Sequence, residues 1–284
     1  MYHMKKLLLL ALPISIALIT IVVGRNADVE AAKKGATVLL PQSNATEYRQ
    51  LPNNAFTVGE RLTFDISYGF VTAGQAFMYI PSYKYVNGRK TYETRVEATS
   101  TSAFDWVFKV RDRYSTYIDV DGIFPWRFEQ QVREGSYSRD FNAFFDPDEQ
   151  TAETSDGQTY HSPAYVQDVV SAFYYVRTLD LSHYHKGDKI QLQNFYKDKT
   201  HPLTVQVLGR QRVETDAGTF NCVVIEPLVV EGGLFKNEGS IQIWMTDDQV
   251  HMPVKMSTKV LIGSIDAKLT KYEGVKGNLT AKVG

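Results

Sequence analysis

Five arginines recur along three consecutive predicted strands, and their guanidinium groups have the chemistry to bind an anion. They are Arg111, Arg113, Arg127, Arg133 and Arg139. A guanidinium donates paired hydrogen bonds to phosphate or carboxylate oxygens. If several of these side chains project into a concavity they form a cationic lining, and we take Arg111, Arg113, Arg127 and Arg139 as candidate ligand-binding residues. The alternative is a solvated outer face, on which arginines pair with neighbouring carboxylates.

Trp244 is the fifth candidate ligand-binding residue, because it belongs to a short motif with Asp247 and Pro253. An indole ring offers a large apolar surface that could line a ligand groove. The same three residues also suit a structural role, in which a tryptophan packs beside a tight turn whose aspartate accepts backbone hydrogen bonds. We favour the structural role and keep Trp244 as a candidate.

The other reactive side chains form no recognisable catalytic or metal site in the sequence. Cys222 is the only cysteine and lies in an apolar alternating strand, where a buried structural thiol is expected. His183 and His185 could share a metal, but they fall in a predicted surface loop. Asp247 and Asp248 are adjacent in a turn, so their carboxylates diverge. We predict no catalytic residue, no metal and no cofactor, and an enzyme stays open as the less favoured class.

The composition of the 284-residue chain is that of a protein with a folded core. Hydrophobic residues make up 43% and charged residues 22%, which excludes a disordered or fibrous chain. The formal net charge of −1 does not favour a nucleic-acid partner. The single cysteine excludes an intrachain disulfide framework.

Alternation of apolar and polar residues predicts that most of the chain folds as β-strands. It starts at Leu62 and resumes after each turn signal, of which Asn87-Gly88 is the strongest predictor of a hairpin. After Ser162-Pro163, apolar residues recur instead at three- and four-residue steps to about Leu179, which predicts a helix. The predicted fold class is therefore all-β: a strongly curved antiparallel sheet (open barrel or β-spiral) with one amphipathic helix packed against it.

The predicted order along the chain is a leader, a linker, one β domain and a tail. The leader carries Lys5 and Lys6 before an apolar run from Leu7 to Val23, the pattern of a cleaved signal peptide or an inner-membrane anchor. Both forms predict export to the periplasm of a Gram-negative bacterium. The predicted boundaries are residues 1–32 for the leader, 33–55 for the linker, 56–277 for the single β domain and 278–284 for the tail.

Three segments carry the motifs GERLTFDISYG, TDAGTFNCVVIEP and IWMTDD with MPVKM. They begin at Gly59, Thr215 and Ile243. These segments resemble the bacterial domain-of-unknown-function family 3108, over roughly residues 56–273. The resemblance implies a periplasmic β-spiral or open barrel with a helix lying against it, distantly similar to lipoprotein-carrier folds. It implies no catalytic residue.

The favoured function is that of an exported, non-enzymatic protein of the cell envelope. The concavity of its sheet would bind a lipid, a lipoprotein, an envelope glycan or an envelope protein partner, and no nucleic acid. One alternative is a hydrolase or lyase acting on polysaccharide, which requires two facing carboxylates roughly 5 to 9.5 Å apart. The other alternative is a structural scaffold that pairs with a partner through an exposed strand edge.

Overall fold

The computed structural model describes residues 47–196, 198–228, 241–259 and 263–284. Fourteen strands and two short helices account for the regular structure of these residues. The predicted leader and the linker residues before Glu47 lie outside the described residues, so the leader stays a prediction. In the described part of the chain, neither helix is long and apolar enough to cross a membrane.

Consecutive strands pair antiparallel, except that a helix separates β8 from β9. The first eight are β1 (Arg61–Tyr68), β2 (Val71–Val86), β3 (Arg89–Ser100), β4 (Arg111–Asp119), β5 (Pro125–Glu134), β6 (Tyr137–Asp146), β7 (Thr151–Thr154) and β8 (Thr159–His161). The other six are β9 (Lys189–Tyr196), β10 (Lys199–Thr215), β11 (Gly218–Leu228), β12 (Ile241–Thr246), β13 (Pro253–Lys259) and β14 (Ser264–Glu273). The helices are α1 (Ser102–Asp105), a single turn between β3 and β4, and α2 (Val169–Arg177), between β8 and β9.

All fourteen strands belong to one sheet, in the order β8 to β1 followed by β14 to β9. Two meanders, β1–β8 and β9–β14, are joined where β1 pairs with β14, as Phe64 does with Leu269. The sheet is open, with β8 and β9 at its edges. It bends so far that the rings of Tyr160 and Phe195, from the two edge strands, lie 6.2 Å apart. The prediction of an all-β, strongly curved antiparallel sheet is confirmed.

The connections between antiparallel strands alternate between two rims of this open barrel. The upper rim carries the β1–β2 turn, the α1 connection and the β5–β6 turn, whereas the lower rim carries the β2–β3 turn and the β4–β5 connection. The β2–β3 turn is Asn87-Gly88, with φ angles of 49° and 74°, so the predicted hairpin is confirmed. Inward residues of each strand form the core, as Leu62, Phe64 and Ile66 do in β1.

The amphipathic helix α2 lies inside the curve of the sheet, against β4 and β9. The helix start predicted from the sequence at Ser162-Pro163 is wrong, because the helix begins at Val169. Gln167 explains the difference. Its N–H donates to the Gln193 carbonyl over 2.9 Å, and its carbonyl accepts from the Phe195 N–H over 2.8 Å. A residue whose backbone groups pair with β9 is held extended and cannot also belong to a helix.

Three elements, β7, β8 and α1, were not predicted from the sequence. β7 and β8 lie in the mostly polar stretch 151–161, where a run of alternating apolar residues is missing. α1 is a single turn, too short to show a helical period. Strands and turns this short are stabilised mainly by hydrogen bonds to a neighbouring strand. The types of their own residues therefore do little to predict them.

Residues on both sides of the predicted β domain 56–277 form backbone hydrogen bonds with its strands and connections. Upstream, the Leu51 N–H donates to the Asp121 carbonyl over 2.8 Å. Downstream, the Val283 N–H donates to the Thr219 carbonyl over 2.9 Å. The last residues of the predicted linker 33–55 and the predicted tail therefore pack on the domain.

Candidate functional site

An apolar cavity lies between α2 and the inner face of the sheet. The centre of a water-sized sphere can reach about 110 Å³ of it, and all the space between its lining atoms, open solvent at the mouth included, is about 1020 Å³. The lining consists of Ala76, Met78, Val96, Val169, Val170, Ala172, Phe173, Val176, Leu192, Asn194, Leu203, Val205, Ile225, Pro227, Ile241, Ile243 and Met256. Asn194 is the one polar residue among them. Water gains few hydrogen bonds in such a space, which therefore favours apolar contents.

Small side chains at the level of the cavity explain why the barrel is not filled there. Ala76 on β2 and Ala172 on α2 both face the cavity, and each offers only a methyl group. Ala76, Val96 and Pro227 lie in the halves of β2, β3 and β11 that adjoin the upper rim. The cavity therefore occupies the upper half of the barrel.

The mouth of the cavity, among the described residues, lies where lining residues are half-buried instead of buried. These residues are Val169 and Phe173 on α2, Leu192 on β9, Leu203 on β10 and Pro227 on β11. They place the mouth between the first half of α2 and the upper ends of β10 and β11. An apolar ligand could enter there without breaking a strand pairing.

Asn194 brings one amide into the wall of the cavity. Its Nδ2 donates to the Gln167 carbonyl over 3.2 Å and so ties β9 to the segment before α2. Its Oδ1 is buried and has no hydrogen-bond partner among the described residues. A buried oxygen without a donor is destabilising by about 1–3 kcal/mol. A ligand hydroxyl or amide that reached this oxygen would remove that cost.

A buried ion pair closes the barrel below the cavity. Arg177, at the end of α2, donates from Nη1 and Nη2 to the two carboxylate oxygens of Glu60 over 2.7 and 2.8 Å. Both side chains are fully buried. The guanidinium carbon lies 5.5 Å from the ring centre of Phe56 and 5.2 Å from that of Tyr174. Burial alone would lower the pKa of Arg177. The negative charge of Glu60 and its hydrogen bonds to the guanidinium outweigh this effect, so the pKa is raised and the side chain stays charged.

His251 packs on the same ion pair. Its Nδ1 lies 2.8 Å from the carbonyl oxygen of Arg177, and because a carbonyl only accepts, Nδ1 carries the hydrogen. Burial lowers the pKa of His251, although the hydrogen bond to Arg177 opposes this. The imidazole is therefore neutral near pH 7 and adds no charge beside the Arg177–Glu60 pair.

Asp168 fixes the start of α2 relative to β4. Its Oδ1 accepts from the backbone N–H groups of Val170 and Ser171 over 2.8 and 2.9 Å, and its own N–H donates to Ser171 Oγ over 2.8 Å. This is a capping box. Its Oδ2 accepts from Thr116 Oγ1 over 2.6 Å, and complete burial raises the pKa of the carboxyl group. This contact ties the start of the helical wall of the cavity to β4.

Arg111 and Arg113, two of the candidate ligand-binding residues, lie on the outer face of β4. They alternate there with inward, buried neighbours. Arg111 pairs with Asp105 over 2.7 Å, and Arg113 pairs with Glu97 over 2.8 Å. For both residues the structure matches the alternative of an outer face with ion pairs, and not a lining of the concavity.

Arg127 and Arg139 lie on opposite faces of the sheet. Arg127 is on the outer face of β5 and pairs with Glu129. Arg139 shares the inward register of β6 with Phe141 and Ala143, and its guanidinium carbon lies 5.0 Å from the centre of the Phe141 ring. The structure therefore does not bring the four candidate arginines together. A ligand contact by any one of them stays a prediction.

Trp244 lies on β12 but outside the lining of the cavity. Its Nε1 donates to Gln211 Oε1 over 2.8 Å, and Lys255 Nζ lies 4.8 Å from the centre of its ring. The turn that follows is held by Asp248, whose Oδ1 accepts from the Val250 N–H over 3.1 Å. The tryptophan therefore packs beside a capped turn, the arrangement that the structural role describes.

The remaining candidates for chemistry lie apart from one another. Cys222 is buried, and burial raises the pKa of its thiol to about 12. His183 and His185 are exposed, and each lies next to a single aspartate. Among the described residues, no group of three or more His, Cys, Asp or Glu side chains could hold a metal ion.

The residues that form the cavity could not be identified as a site from the sequence. The alternation of the sequence predicts that Ala76 and Ile243 point into the barrel and are buried. It does not show whether a side chain on the opposite wall fills the space in front of them. Glu60 was missed as well. The observation that could have identified it is its position: Glu60 is a charged residue directly before the first alternating strand, where the chain enters the core.

Comparison with known proteins places the chain among proteins of unassigned function. The family model described as "Protein of unknown function (DUF3108)" matches residues 63–270. A β-barrel-like protein of the domain of unknown function DUF1849 from Brucella abortus has a similar fold. It is 13% identical with a TM-score of 0.50, and the match covers 78% of this chain and 99% of that one.

Two further solved structures align with lower scores. A proposed lipoprotein from Parabacteroides distasonis is 10% identical over 80% of this chain and 100% of that one, with a TM-score of 0.35. A proposed exported protein with a YmcC-like fold from Bacteroides fragilis is 12% identical over 79% of this chain and 99% of that one, with a TM-score of 0.30. No curated protein matches the chain.

Proposed function

Since this chain belongs to DUF3108, a family of proteins of unknown function, we propose a function from its geometry: it binds the acyl part of a lipid in the cavity beside α2 and catalyses no reaction. The observation that carries the proposal is the lining of the cavity, which is apolar except for Asn194. Cavities of this kind are the usual binding sites of small apolar molecules.

The energetics of the cavity favour a hydrocarbon chain over a sugar. Each methylene that leaves water for an apolar site contributes about 0.8 kcal/mol. A sugar would instead lose hydrogen bonds to water and find only the Asn194 amide in return, because the other lining side chains offer no donor or acceptor. The free Oδ1 of Asn194 would suit a single hydroxyl or amide at the head of the lipid.

The proposed location of this activity is the periplasm. The support for it is the basic and apolar leader of the sequence. In that compartment the two membranes of the envelope supply lipids, so a protein with an apolar cavity could hold the acyl chain of one away from water.

Direct extraction tests the proposal. Protein purified from the periplasm is extracted with organic solvent, and the extract is analysed by mass spectrometry for lipids that co-purify in stoichiometric amounts. Delipidated protein is then titrated with a dansyl-labelled fatty acid. We expect an increase and a blue shift of dansyl fluorescence as the probe enters the apolar site.

A matched pair of variants locates the site. Ile243→Trp places a large ring in the cavity, whereas Gln242→Trp adds the same ring to the preceding residue of β12, which is not part of the lining. We expect at least about tenfold weaker probe binding for Ile243→Trp, equivalent to about 1.4 kcal/mol, and unchanged binding for Gln242→Trp. Equal binding by the two variants, with both folded by circular dichroism, would refute the assignment of the cavity.

A further inference from the structure

We propose that the upper rim docks on a lipid bilayer through the exposed side chains of Phe70, Val71 and Trp106. Phe70 is fully exposed, and Val71 and Trp106 are 56% and 76% exposed. Water contact of large apolar side chains is unfavourable, and several of them exposed along one rim mark an interaction site. The inference goes beyond the proposed function and does not require a ligand in the cavity.

The three side chains lie on two neighbouring connections of the upper rim. Phe70 and Val71 form the tip of the β1–β2 hairpin, and Trp106 follows α1 in the connection from β3 to β4. β2 pairs with β3, and the Thr101 N–H at the start of the α1 connection donates to the Ala73 carbonyl of β2 over 2.9 Å. Both tips therefore project from the same side of the barrel, which is also the side of the cavity.

The hairpin tip is built so that it can enter the interface of a bilayer. Residues 67–74 carry no charged side chain, so insertion of the tip does not strip water from a charge. Tyr68 pairs with Val71 at the end of the β1–β2 ladder. The backbone N–H and C=O groups of the hairpin are thus hydrogen-bonded between its two strands almost to the tip, as an apolar environment requires.

Cations lie beside the aromatic tip, as they do in interfacial membrane anchors. Lys109 and Arg111 are exposed in and just after the α1 connection. Arg111 is partly neutralised by its pairing with Asp105, which leaves Lys109 to attract anionic headgroups. We therefore expect apolar insertion to dominate the affinity and anionic lipid to increase it.

A bilayer fits this rim better than a protein surface does. Protein interfaces bury a continuous, closely packed patch with a core of anchoring side chains. Here the apolar groups stand on two separate projecting tips, and a deformable lipid surface can surround each tip without matching a fixed shape.

Trp106 gives a local readout of docking. Trp126 and Trp244 are only 3% and 7% exposed, so a change of solvent contact reports on Trp106. Vesicles of phosphatidylcholine, with and without phosphatidylglycerol, are added to the purified protein. We expect a blue shift of tryptophan emission and quenching by lipids with brominated acyl chains. The variant Trp106→Phe should lose both signals.

Two aspartate variants decide whether the rim carries the binding. Phe70→Asp places a charge at the upper tip, and Tyr85→Asp places one at a 73% exposed aromatic residue near the lower rim. We expect Phe70→Asp to weaken co-sedimentation with vesicles at least about tenfold and Tyr85→Asp to change it less than about twofold. Equal losses, or no blue shift in the wild type, would overturn the proposal.

The outcomes also separate this proposal from the one on the cavity. Fatty-acid binding that persists in Phe70→Asp while vesicle binding is lost supports both proposals. Normal fatty-acid binding with no response of Trp106 to any vesicle overturns docking on a bilayer alone. A Trp106 shift caused by a purified envelope protein, and not by vesicles, would assign the rim to a protein partner and likewise overturn the proposal.

Discussion

Replacement of Glu60 by glutamine is expected to destabilise the protein strongly, although it changes a single atom. The carboxylate accepts two hydrogen bonds from Arg177, and both side chains are fully buried. In Glu60→Gln the amide nitrogen faces a guanidinium nitrogen, so one hydrogen bond is lost and two donors oppose each other. The positive charge of Arg177 then stays buried without a counter-charge.

The size of this effect follows from the burial of the pair. Loss of one partner of a buried ion pair is destabilising by about 3–5 kcal/mol. Two carbonyl contacts remain for Arg177, with Ala55 at 3.1 Å and Val250 at 3.4 Å, so we expect about 3 kcal/mol, the lower end of that range. For a domain of this size, that loss lowers the Tm by roughly 6 to 12 °C.

Urea unfolding followed by circular dichroism measures the change in the free energy of unfolding. Glu97→Gln is the matched control, because Glu97 pairs with Arg113 on the outer face at 2.8 Å, and we expect it to cost about 0–1 kcal/mol. The double variant Glu60→Leu with Arg177→Met should recover most of the stability, since it leaves no unpaired charge. If Glu60→Gln proved as mild as Glu97→Gln, the role assigned to the buried pair would be refuted.

Two further predictions concern buried titratable groups. Burial lowers the pKa of His251, so below about pH 6.5 the unfolded chain binds a proton that the native protein does not. The free energy of unfolding should therefore fall as the pH drops below that value, by at most about 1.4 kcal/mol per pH unit. The slope should flatten in His251→Asn, and pH-dependent urea titrations that show the same slope for both proteins would contradict this. The Cys222 thiol, with its pKa raised to about 12, should stay unreactive towards a thiol-specific reagent at pH 8 until urea unfolds the chain, so rapid native labelling would show that it is accessible.

The strand pattern of this protein could be predicted because side chains on alternate positions report directly on burial. Leu62, Phe64 and Ile66 alternate with polar residues and are all in the core. The start of α2 could not be predicted in the same way. Ser162-Pro163 is a favourable helix start, but Ala164 and Tyr165 form a turn, in which Tyr165 has a φ of 61°. Gln167 then pairs with β9, a strand that comes later in the chain, so the helix cannot begin before that residue.

The candidate site was harder to predict than the fold. A cavity forms where the side chains of two facing walls are too small to meet. Ala76 of β2 faces α2 only because the sheet curves around the helix, and the sequence near Ala76 does not show that curvature. The arginines posed the opposite difficulty. Arg111 and Arg139 lie in similar alternating segments, yet one points outward and the other inward, because the register of each strand decides the face.

The pairing of β1 with β14 places the first and last strands of the domain side by side in the middle of the sheet. Thr270 Oγ1 donates to the Thr63 carbonyl across 207 positions of the chain. Joining such distant segments costs entropy before any contact is gained, and proteins rich in such contacts fold slowly. We therefore expect each meander to form first and their union to set the folding rate. During synthesis the barrel stays incomplete until its final strand has left the ribosome.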